Sequence, residues 1–310
     1  MEIFNPNSHY DFVGKNRLAV ILSLVVILAG LLSLALKGGP ALGVDFAGGT
    51  LVEVRFAAPT QAGDIRDALK DLPLGSLSVQ QFGDDPQDFL IRIPQTQSDQ
   101  EQLSGSLTQA LITHYGENQL DIRRTEMVGP QVGKELLHKG FFALLYAMAG
   151  TLVYIGWRFE FRYAVAAIVA LLHDVLVTLG FFSLFGKEID LTIIAAFLTI
   201  IGYSLNDTIV IFDRLRENLG RHPKEGLAAT LNRSINETMS RTILTSGTTL
   251  LVVVALFAFG GPVIHNFAFA LLVGIIAGTY STIFVAGALV LAWERRRPKR
   301  PSPIPEPAGT

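Results

Sequence analysis

The sequence predicts an α-helical membrane protein with six transmembrane helices and one small α+β domain outside the bilayer, between helices one and two. Hydrophobic residues make up 50% of the 310 positions, and the mean hydropathy of +0.41 is higher than is usual for a soluble domain of this length. A spanning helix needs roughly 20 mostly apolar residues. Six segments meet that length: 18–36, 138–156, 163–184, 191–212, 242–259 and 264–292.

Composition also narrows the function classes. The net charge of -2 argues against a large acidic or basic partner, nucleic acid included, and the absence of cysteine excludes disulfides and cysteine-ligated metals. We predict no metal site. Neither H-E-x-x-H nor G-x-S-x-G occurs, and the histidine inside the third span has no nucleophile nearby, so we expect no enzyme.

The first span follows Lys15 and Arg17 and has the pattern of a secretory signal. Its apolar run is too long for a signal core, and no A-x-A site follows it, so we predict an uncleaved anchor rather than a removed signal.

The distribution of Lys and Arg predicts the orientation. Two basic residues precede the first span, two lie in "WRFEFR", six lie in 214–241 and five lie in "ERRRPKRP", whereas the alternate short loops hold only Lys187. Fifteen basic residues on one side of the membrane against one on the other predict that both termini are cytoplasmic. The predicted divisions are a cytoplasmic amino terminus at 1–17, the first helix at 18–36, an extracytoplasmic domain at 37–137, a five-helix bundle at 138–293 with a cytoplasmic loop at 213–241, and a disordered cytoplasmic tail at 294–310.

The outer segment alternates apolar and polar residues in "LVEVRF" and "DFLIRI", which is typical of strands with one buried face. "LSVQQF" and "QLDIRR" are weaker strand candidates, and two helical patterns lie between the four. The order strand, helix, strand, strand, helix, strand predicts a ferredoxin-like sandwich.

The stretch "GVDFAGGT" places Gly43, Gly48 and Gly49 around Asp45. Several glycines so close together imply unusual backbone angles or the close approach of another segment to the backbone. The motif is either a tight connector between the first span and the first strand or a surface that contacts a substrate.

Asp207 lies in the fourth span, in "LNDTIVIF", on the order of 10 Å inside the interface marked by Asp213 and Arg214. A charge at the bilayer centre costs about 2.5–3.5 kcal/mol, so Asp207 must be paired, neutralised or reached by water. We interpret it as functional, and we interpret Asp213 and Arg214 as solvated charges at the helix end.

Thr199, Tyr203 and Asp207 recur every four residues, with Asn206 beside them, and form one polar stripe. Lipid would not tolerate this stripe, so we expect it to face other helices. Ser204, in the same span, can bond to a backbone carbonyl and needs no special role.

The third span holds His173 and Asp174, a candidate pair for proton handling, although adjacent side chains point about 100° apart and need not touch.

Arg241 begins the fifth span, where antiparallel packing would bring it toward Asp207. The two would then form a switchable ion pair. The alternatives are a static buried pair or an arginine that extends to the interface. In the sixth span, Gly274 and Gly278 have the spacing of close helix packing.

Taken together, the anchor with "GVDFAGGT", the "HD" of the third span, "IGYSLNDTIVIFDRLREN", which includes Gly202, and "RTILTSGTTL" followed by "FGGP" resemble the SecF family. These are the smaller membrane subunits of the bacterial SecD/SecF export complex, in the resistance-nodulation-division superfamily. The resemblance covers residues 11–293, with four motifs in order.

The resemblance implies a multi-pass protein of the bacterial cytoplasmic (inner) membrane that pairs with SecD. It would work beside the SecYEG channel and the SecA motor, with YajC and YidC as further candidates, on a translocating preprotein and among membrane lipids. The family uses the proton motive force, or sodium in some relatives, so the expected ligands are coupling ions and no cofactor. The family's carboxylate falls on Asp207 and its arginine on Arg241.

Two other functions remain open from the residues alone. Half of a small-molecule efflux pump is one, although a single outer domain of roughly 100 residues is small for such a pump. A non-conducting assembly subunit, in which the carboxylates only lock helices together, is the other.

Overall fold

The computed structural model describes residues 10–72, 77–81, 85–93 and 100–296. Within this part of the chain, six helices are long and apolar enough to cross a membrane, as the sequence predicts. Numbered along the whole chain, they are α1 (Asn16–Leu36), α5 (Pro130–Arg158), α6 (Phe161–Leu184), α7 (Leu191–Arg221), α8 (Leu227–Phe259) and α9 (Gly261–Ser281), which continues through a π-helical turn (Thr282–Ala286) into α10 (Gly287–Arg296).

The cytoplasmic loop predicted at 213–241 is instead a helical hairpin. Only residues 222–226 connect α7 to α8. The side chain of Arg214 bonds at 2.6 Å to Glu217 on its own helix and at 2.6 Å to Glu237 on α8. Ion pairs of this kind stabilise polar helical turns, which hydropathy does not detect.

The two ends of the chain are only partly described. Residues 1–9 and 297–310 lie outside the described residues, so the disordered tail predicted at 294–310 stays a prediction for most of its length. Residues 294–296 belong to α10.

The outer domain has the predicted order of strands and helices. Its elements are β1 (Gly49–Phe56), α3 (Ala62–Leu69), β2 (Ser78–Gln81), β3 (Asp88–Ile93), α4 (Gln100–Tyr115) and β4 (Leu120–Val128), with a four-residue helix, α2 (Val44–Ala47), before β1. The strands form one antiparallel sheet in the order β2-β3-β1-β4, which is the ferredoxin-like arrangement. Alternate apolar side chains of β1 and β3 pack against α3 and α4 in one core, because successive side chains of a strand point to opposite faces.

In the bundle, α6, α7 and α9 are the more buried helices, and α1, α5 and α8 flank them. Close approaches between small residues position the helices. A Cβ atom at Gly30 of α1 would lie 2.6 Å from the Cα of Gly180 on α6, and one at Gly274 of α9 would lie 2.2 Å from Ile200 of α7. This packing brings polar side chains of α1, α6, α7 and α9 within reach of one another.

Candidate functional site

Asp207 lies in the middle of α7 with 3% of its surface exposed. Among the described residues, one hydrogen bond holds its side chain: the hydroxyl of Ser246 on α8 donates to Oδ2 at 3.4 Å. An O–H···O bond is usually about 2.5–3.0 Å long. The Ser246 hydroxyl is also 3.0 Å from the hydroxyl of Thr279 on α9, so Thr279 competes with Asp207 for the Ser246 hydroxyl. Asp207 is therefore buried but loosely held.

Arg241 is exposed in the first half of α8, and the predicted ion pair with Asp207 is not formed in this structure. Among the described residues, the Arg241 side chain forms no ion pair within 4 Å, and it lines the same cavity that begins on α7 two residues beyond Asp207. Ser246, five positions further along α8, makes the contact to Asp207 instead.

A cavity of about 390 Å³ lies between α5, α7 and α8. Its wall on α7 begins at Ile209, two residues beyond Asp207, and Arg241 lines it from α8. Asp213 also lines the cavity and lies 3.7 Å from the guanidinium of Arg158 on α5, and both side chains are more than half exposed. The apolar end of the cavity, at Ile209, thus lies about 3 Å along the helix axis from Asp207, and the nearest charged wall residue on α7, Asp213, lies about 9 Å away.

Asp174 of α6 is fully buried, and three side chains hold its carboxylate. Ser204 of α7 donates to Oδ2 at 2.7 Å, and Ser281 of α9 donates to the same oxygen at 3.0 Å. The Nδ1 atom of His173 lies 3.0 Å from Oδ1. A Cβ at Gly278 would lie 2.9 Å from the Cβ of Ser204, so the small residue at 278 permits this packing.

His173 extends the network to α1. Its Nε2 lies 3.0 Å from the hydroxyl of Ser23, and its ring stacks on Tyr280, whose hydroxyl donates to the carbonyl of Ala19 at 2.5 Å. The sequence left open whether His173 and Asp174 touch, and in this structure they do. Their Cβ directions diverge, but the imidazole turns back toward the adjacent carboxylate.

The polar stripe predicted on α7 is buried only at Asp207. Thr199 and Asn206 are exposed, and the Thr199 hydroxyl bonds at 2.8 Å to a carbonyl of its own helix. Tyr203 is half-buried, and its hydroxyl has no hydrogen-bond partner among the described residues. Gly202 is exposed as well. The expectation that the whole stripe faces other helices is wrong within this chain, because those helices pack on another side of α7.

The motif "GVDFAGGT" connects α1 to β1. Gly48 and Gly49 have φ values of 74° and 119°, which other residues rarely adopt. Gly43 and Asp45 contact the segment between α6 and α7, where Oδ2 of Asp45 accepts a hydrogen bond of 2.9 Å from the N–H of Leu191. The motif is thus a tight connector that also touches the start of α7.

Four hydroxyl side chains that contact the carboxylate networks are absent from the predicted site: Ser23, Ser204, Ser246 and Ser281. Ser204 in particular donates to Asp174 rather than to the backbone, contrary to the sequence interpretation. Serine in a membrane helix commonly bonds to its own helix, so its presence carries no signal. Only the alignment of separate helices identifies these four.

Comparison with known proteins gives a consistent result. A model of "Protein export membrane protein SecD/SecF, C-terminal" matches residues 108–296, and one of the "SecD/SecF GG Motif" matches residues 36–60. The SecF of Magnetococcus marinus is 48% identical over 294 residues, 94% of each chain, and that of Desulfurispirillum indicum is 47% identical over 295 residues, 93% of each chain. Both are named protein translocase subunits.

Among solved structures, SecDF from Thermus thermophilus, described as a translocon-associated membrane protein, matches with a TM-score of 0.83 and 35% identity. The match covers 95% of this chain and 40% of that one, so this chain spans less than half of the SecDF polypeptide. A second SecDF structure, in a super-membrane-facing form, matches with a TM-score of 0.68 and 36% identity, over 94% of this chain and 39% of that one.

The fold is that of a multi-pass membrane protein with one outer α+β domain and two carboxylates inside its helix bundle, and the relatives place it in the protein-translocation class. The motif order, the family matches and the relatives specify it further. The chain belongs to the SecF family of protein translocase subunits.

Proposed function

We propose that this chain acts with SecD as a non-enzymatic accessory subunit that couples the proton motive force to late-stage preprotein export across the cytoplasmic membrane. In this proposal Asp207 binds and releases the proton. The observation that carries it is the contrast between the depth of Asp207 and the single hydrogen bond, of 3.4 Å, that its side chain makes to the described residues. A buried carboxylate without strong donors is costly when charged, so its protonation changes the packing energy around it.

The cavity between α5, α7 and α8 supports a route for the proton from the cytoplasmic side. Arg241 on its wall holds positive charge near the carboxylate without a fixed contact. When Asp207 is neutralised, this attraction is lost, and α7 and α8 are free to shift against each other. Moving one charge across 100 mV supplies about 2.3 kcal/mol, so a working stroke that requires more free energy than this uses several protons.

The exposed polar side of α7 supports SecD as the partner. Thr199, Gly202 and Asn206 are uncovered in this chain, and lipid is a poor solvent for such a surface. A homologous six-span subunit packed there would shield these groups and complete the surroundings of Tyr203. We propose the SecYEG channel, the SecA motor and the preprotein as further partners, with YajC and YidC as additional candidates.

We also propose that both termini are cytoplasmic and that residues 37–137 are extracytoplasmic. The excess of Lys and Arg on one side of the six helices supports this orientation. The outer domain would then lie on the side where the preprotein emerges.

The experiment that tests the proposed function compares Asp207→Asn with the unmodified chain, each reconstituted with SecD, SecYEG and SecA in liposomes. Asn keeps the shape and one acceptor oxygen but does not titrate. We expect Asp207→Asn to lose proton flux and the export that depends on the proton motive force. Asp67→Asn, the same chemical change at an exposed position of α3, serves as the control and should keep both. Repetition in sodium-free buffer separates protons from sodium. Normal flux and export with Asp207→Asn would contradict the proposal.

A non-conducting assembly subunit is the second candidate, and the fully bonded Asp174 network favours it. In that case the polar groups lock α1, α6, α7 and α9 together, and the unmodified complex carries no proton flux. The same liposome measurement separates the two candidates.

A further inference from the structure

The linker that follows α1 pairs with the loop between α6 and α7. The N–H of Gly43 donates to the carbonyl of Ile189 at 2.8 Å, and the N–H of Ile189 donates to the carbonyl of Ala41 at 2.8 Å. The two bonds form an isolated parallel bridge between Leu42 and Ile189. The entrance to the outer domain is therefore hydrogen-bonded to a loop of the bundle, although the two are distant in sequence.

Two aspartates accept hydrogen bonds from backbone N–H groups in the first turn of α7. Asp190, the N-cap, accepts from the N–H of Ile193 at 3.0 Å, and Asp45 of the linker accepts from the N–H of Leu191 at 2.9 Å. The first N–H groups of a helix have no partner within it, and its positive end favours carboxylates. Asp45 thus ties the outer domain to the end of the helix that carries Asp207.

An ion pair ties the sheet of the outer domain to the same loop. The guanidinium of Arg92, on β3, bonds to both carboxylate oxygens of Glu188. The two side chains are 24% and 26% exposed, and desolvation lowers the pKa of Arg92. A bidentate pair shielded in this way fixes orientation as well as distance.

Apolar side chains pack beside these polar contacts. Phe46 of the linker is buried in one cluster with Ile193 and Phe197 from the first two turns of α7. A Cβ at Gly43 would lie 3.1 Å from the Cβ of Asp190. The linker and the start of α7 therefore form a continuous packed surface.

We propose that this junction transmits displacements of α7 to the outer domain, with Asp45 and the Arg92–Glu188 pair as the coupling contacts. The inference rests on the proposed function, in which protonation of Asp207 shifts α7. Because the backbone bridge, the cap and the ion pair all converge on the start of α7, that end of the helix cannot move alone without breaking at least one of them. The glycine motif supplies the close approach that these contacts need.

The first test compares Asp45→Ala with Asp45→Asn in the complex with SecD, SecYEG and SecA. Ala removes the acceptor for the N–H of Leu191, whereas Asn keeps an oxygen there and caps helices about as well as Asp. We expect Asp45→Ala to keep proton flux but to lose the export that depends on the proton motive force. Asp45→Asn should keep both.

The second test exchanges the charges of the ion pair. Arg92→Glu alone places two carboxylates together and should uncouple export from proton flux. Arg92→Glu combined with Glu188→Arg restores an attractive pair and should recover part of the export. Failure of the double variant to exceed the single one would contradict a role for this pair.

The third test adds a covalent tie. The chain has no cysteine, so Leu42→Cys with Ile189→Cys introduces one defined thiol pair. Paired strand residues lie about 5 Å apart, which is within the usual Cα range of disulfides. In the Asp45→Ala background, we expect oxidation to restore export and reduction to abolish it again.

The outcomes separate the junction from the proposed function. Normal export with Asp45→Ala contradicts the junction alone. If Asp45→Ala loses both proton flux and export, and the disulfide restores neither, the junction is only a structural brace. That result would also overturn the inference. Absence of proton flux in the unmodified complex contradicts the proposed function itself.

Discussion

Asp174 and Asp207 are both aspartates buried in the helix bundle, yet their surroundings differ. Asp174 receives bonds of 2.7 and 3.0 Å from two serines on other helices and contacts His173. Within the described part of the chain, Asp207 receives one bond of 3.4 Å, from Ser246. Depth is therefore a poor guide to function here. In our proposal, the number and length of the hydrogen bonds distinguish a carboxylate that stabilises the bundle, Asp174, from one that changes its protonation, Asp207.

This difference also separates two halves of the bundle. The Asp174 network joins α1, α6, α7 and α9 through side chains that are themselves satisfied, and nothing in it faces the cavity. Asp207 lies near the polar cavity and beside the exposed side of α7. We infer that the first region holds the helices in place while the second permits movement.

The largest expected difference between Asp207 and Asp174 concerns proton flux. We expect Asp207→Asn to abolish flux in liposomes containing the SecD complex, and Asp174→Asn to keep most of it, because Asp174 is enclosed by fixed partners. Internal pH, followed with a fluorescent dye after an imposed potential, measures both. The reverse order of effects would assign the transport role to Asp174.

A second large effect concerns stability. Asp174→Ala removes the partner of three buried hydrogen-bonding side chains, and such a bond in a membrane protein is worth about 0.6–1.7 kcal/mol, so the chain should be destabilised by about 2–5 kcal/mol. Asp207→Ala should cost clearly less, because it removes a single weak bond. Unfolding in detergent, with helicity followed by circular dichroism, gives the two values. Equal losses would remove the distinction between the sites.

A smaller effect concerns Arg241. Because it acts on Asp207 by charge and not by a fixed contact, Arg241→Lys should keep most proton flux. Arg241→Ala should reduce flux roughly five- to ten-fold, which corresponds to an interaction of about 1–1.4 kcal/mol. If Lys is as damaging as Ala, a direct bidentate pair must form at another stage of the cycle.

The smallest effect compares two serines. Ser204→Ala removes a 2.7 Å bond to a buried carboxylate and should cost about 1–2 kcal/mol, near the upper end for membrane hydrogen bonds. Ser246→Ala removes the 3.4 Å bond and should cost less than about 0.6 kcal/mol. The same unfolding measurement applies, and a larger loss for Ser246→Ala would show that Asp207 is held more firmly than its geometry indicates.

Much of the fold could be predicted because it depends on local patterns. Apolar runs predict the six helices, and alternation in β1 and β3 predicts the outer sheet, since both reflect burial at a fixed period. The helical hairpin at 213–241 could not be predicted in this way. Its helices are stabilised by ion pairs such as Arg214–Glu237, which join residues that are distant in sequence.

The candidate site was only partly predictable for the same reason. The cost of a charge in lipid identifies Asp207 and Asp174 as unusual wherever their helices pack. Their partners come from other helices, so Ser23, Ser246 and Ser281 carry no signal along the chain. The exposure of Thr199 and Asn206 likewise depends on which sides of α7 its neighbours cover.

By itself, then, the sequence determined the membrane class, the outer sandwich, the positions of the two intramembrane acids and the motif order of the family. Each of these follows from hydropathy, periodicity or residue spacing along one segment. Only the tertiary structure decided that Asp174 is locked, that Asp207 is loosely held, that Arg241 lies apart from it, and that Asp45 meets the start of α7. Those outcomes depend on distances between helices, which are set by packing at close contacts such as Gly30–Gly180 and Gly278–Ser204.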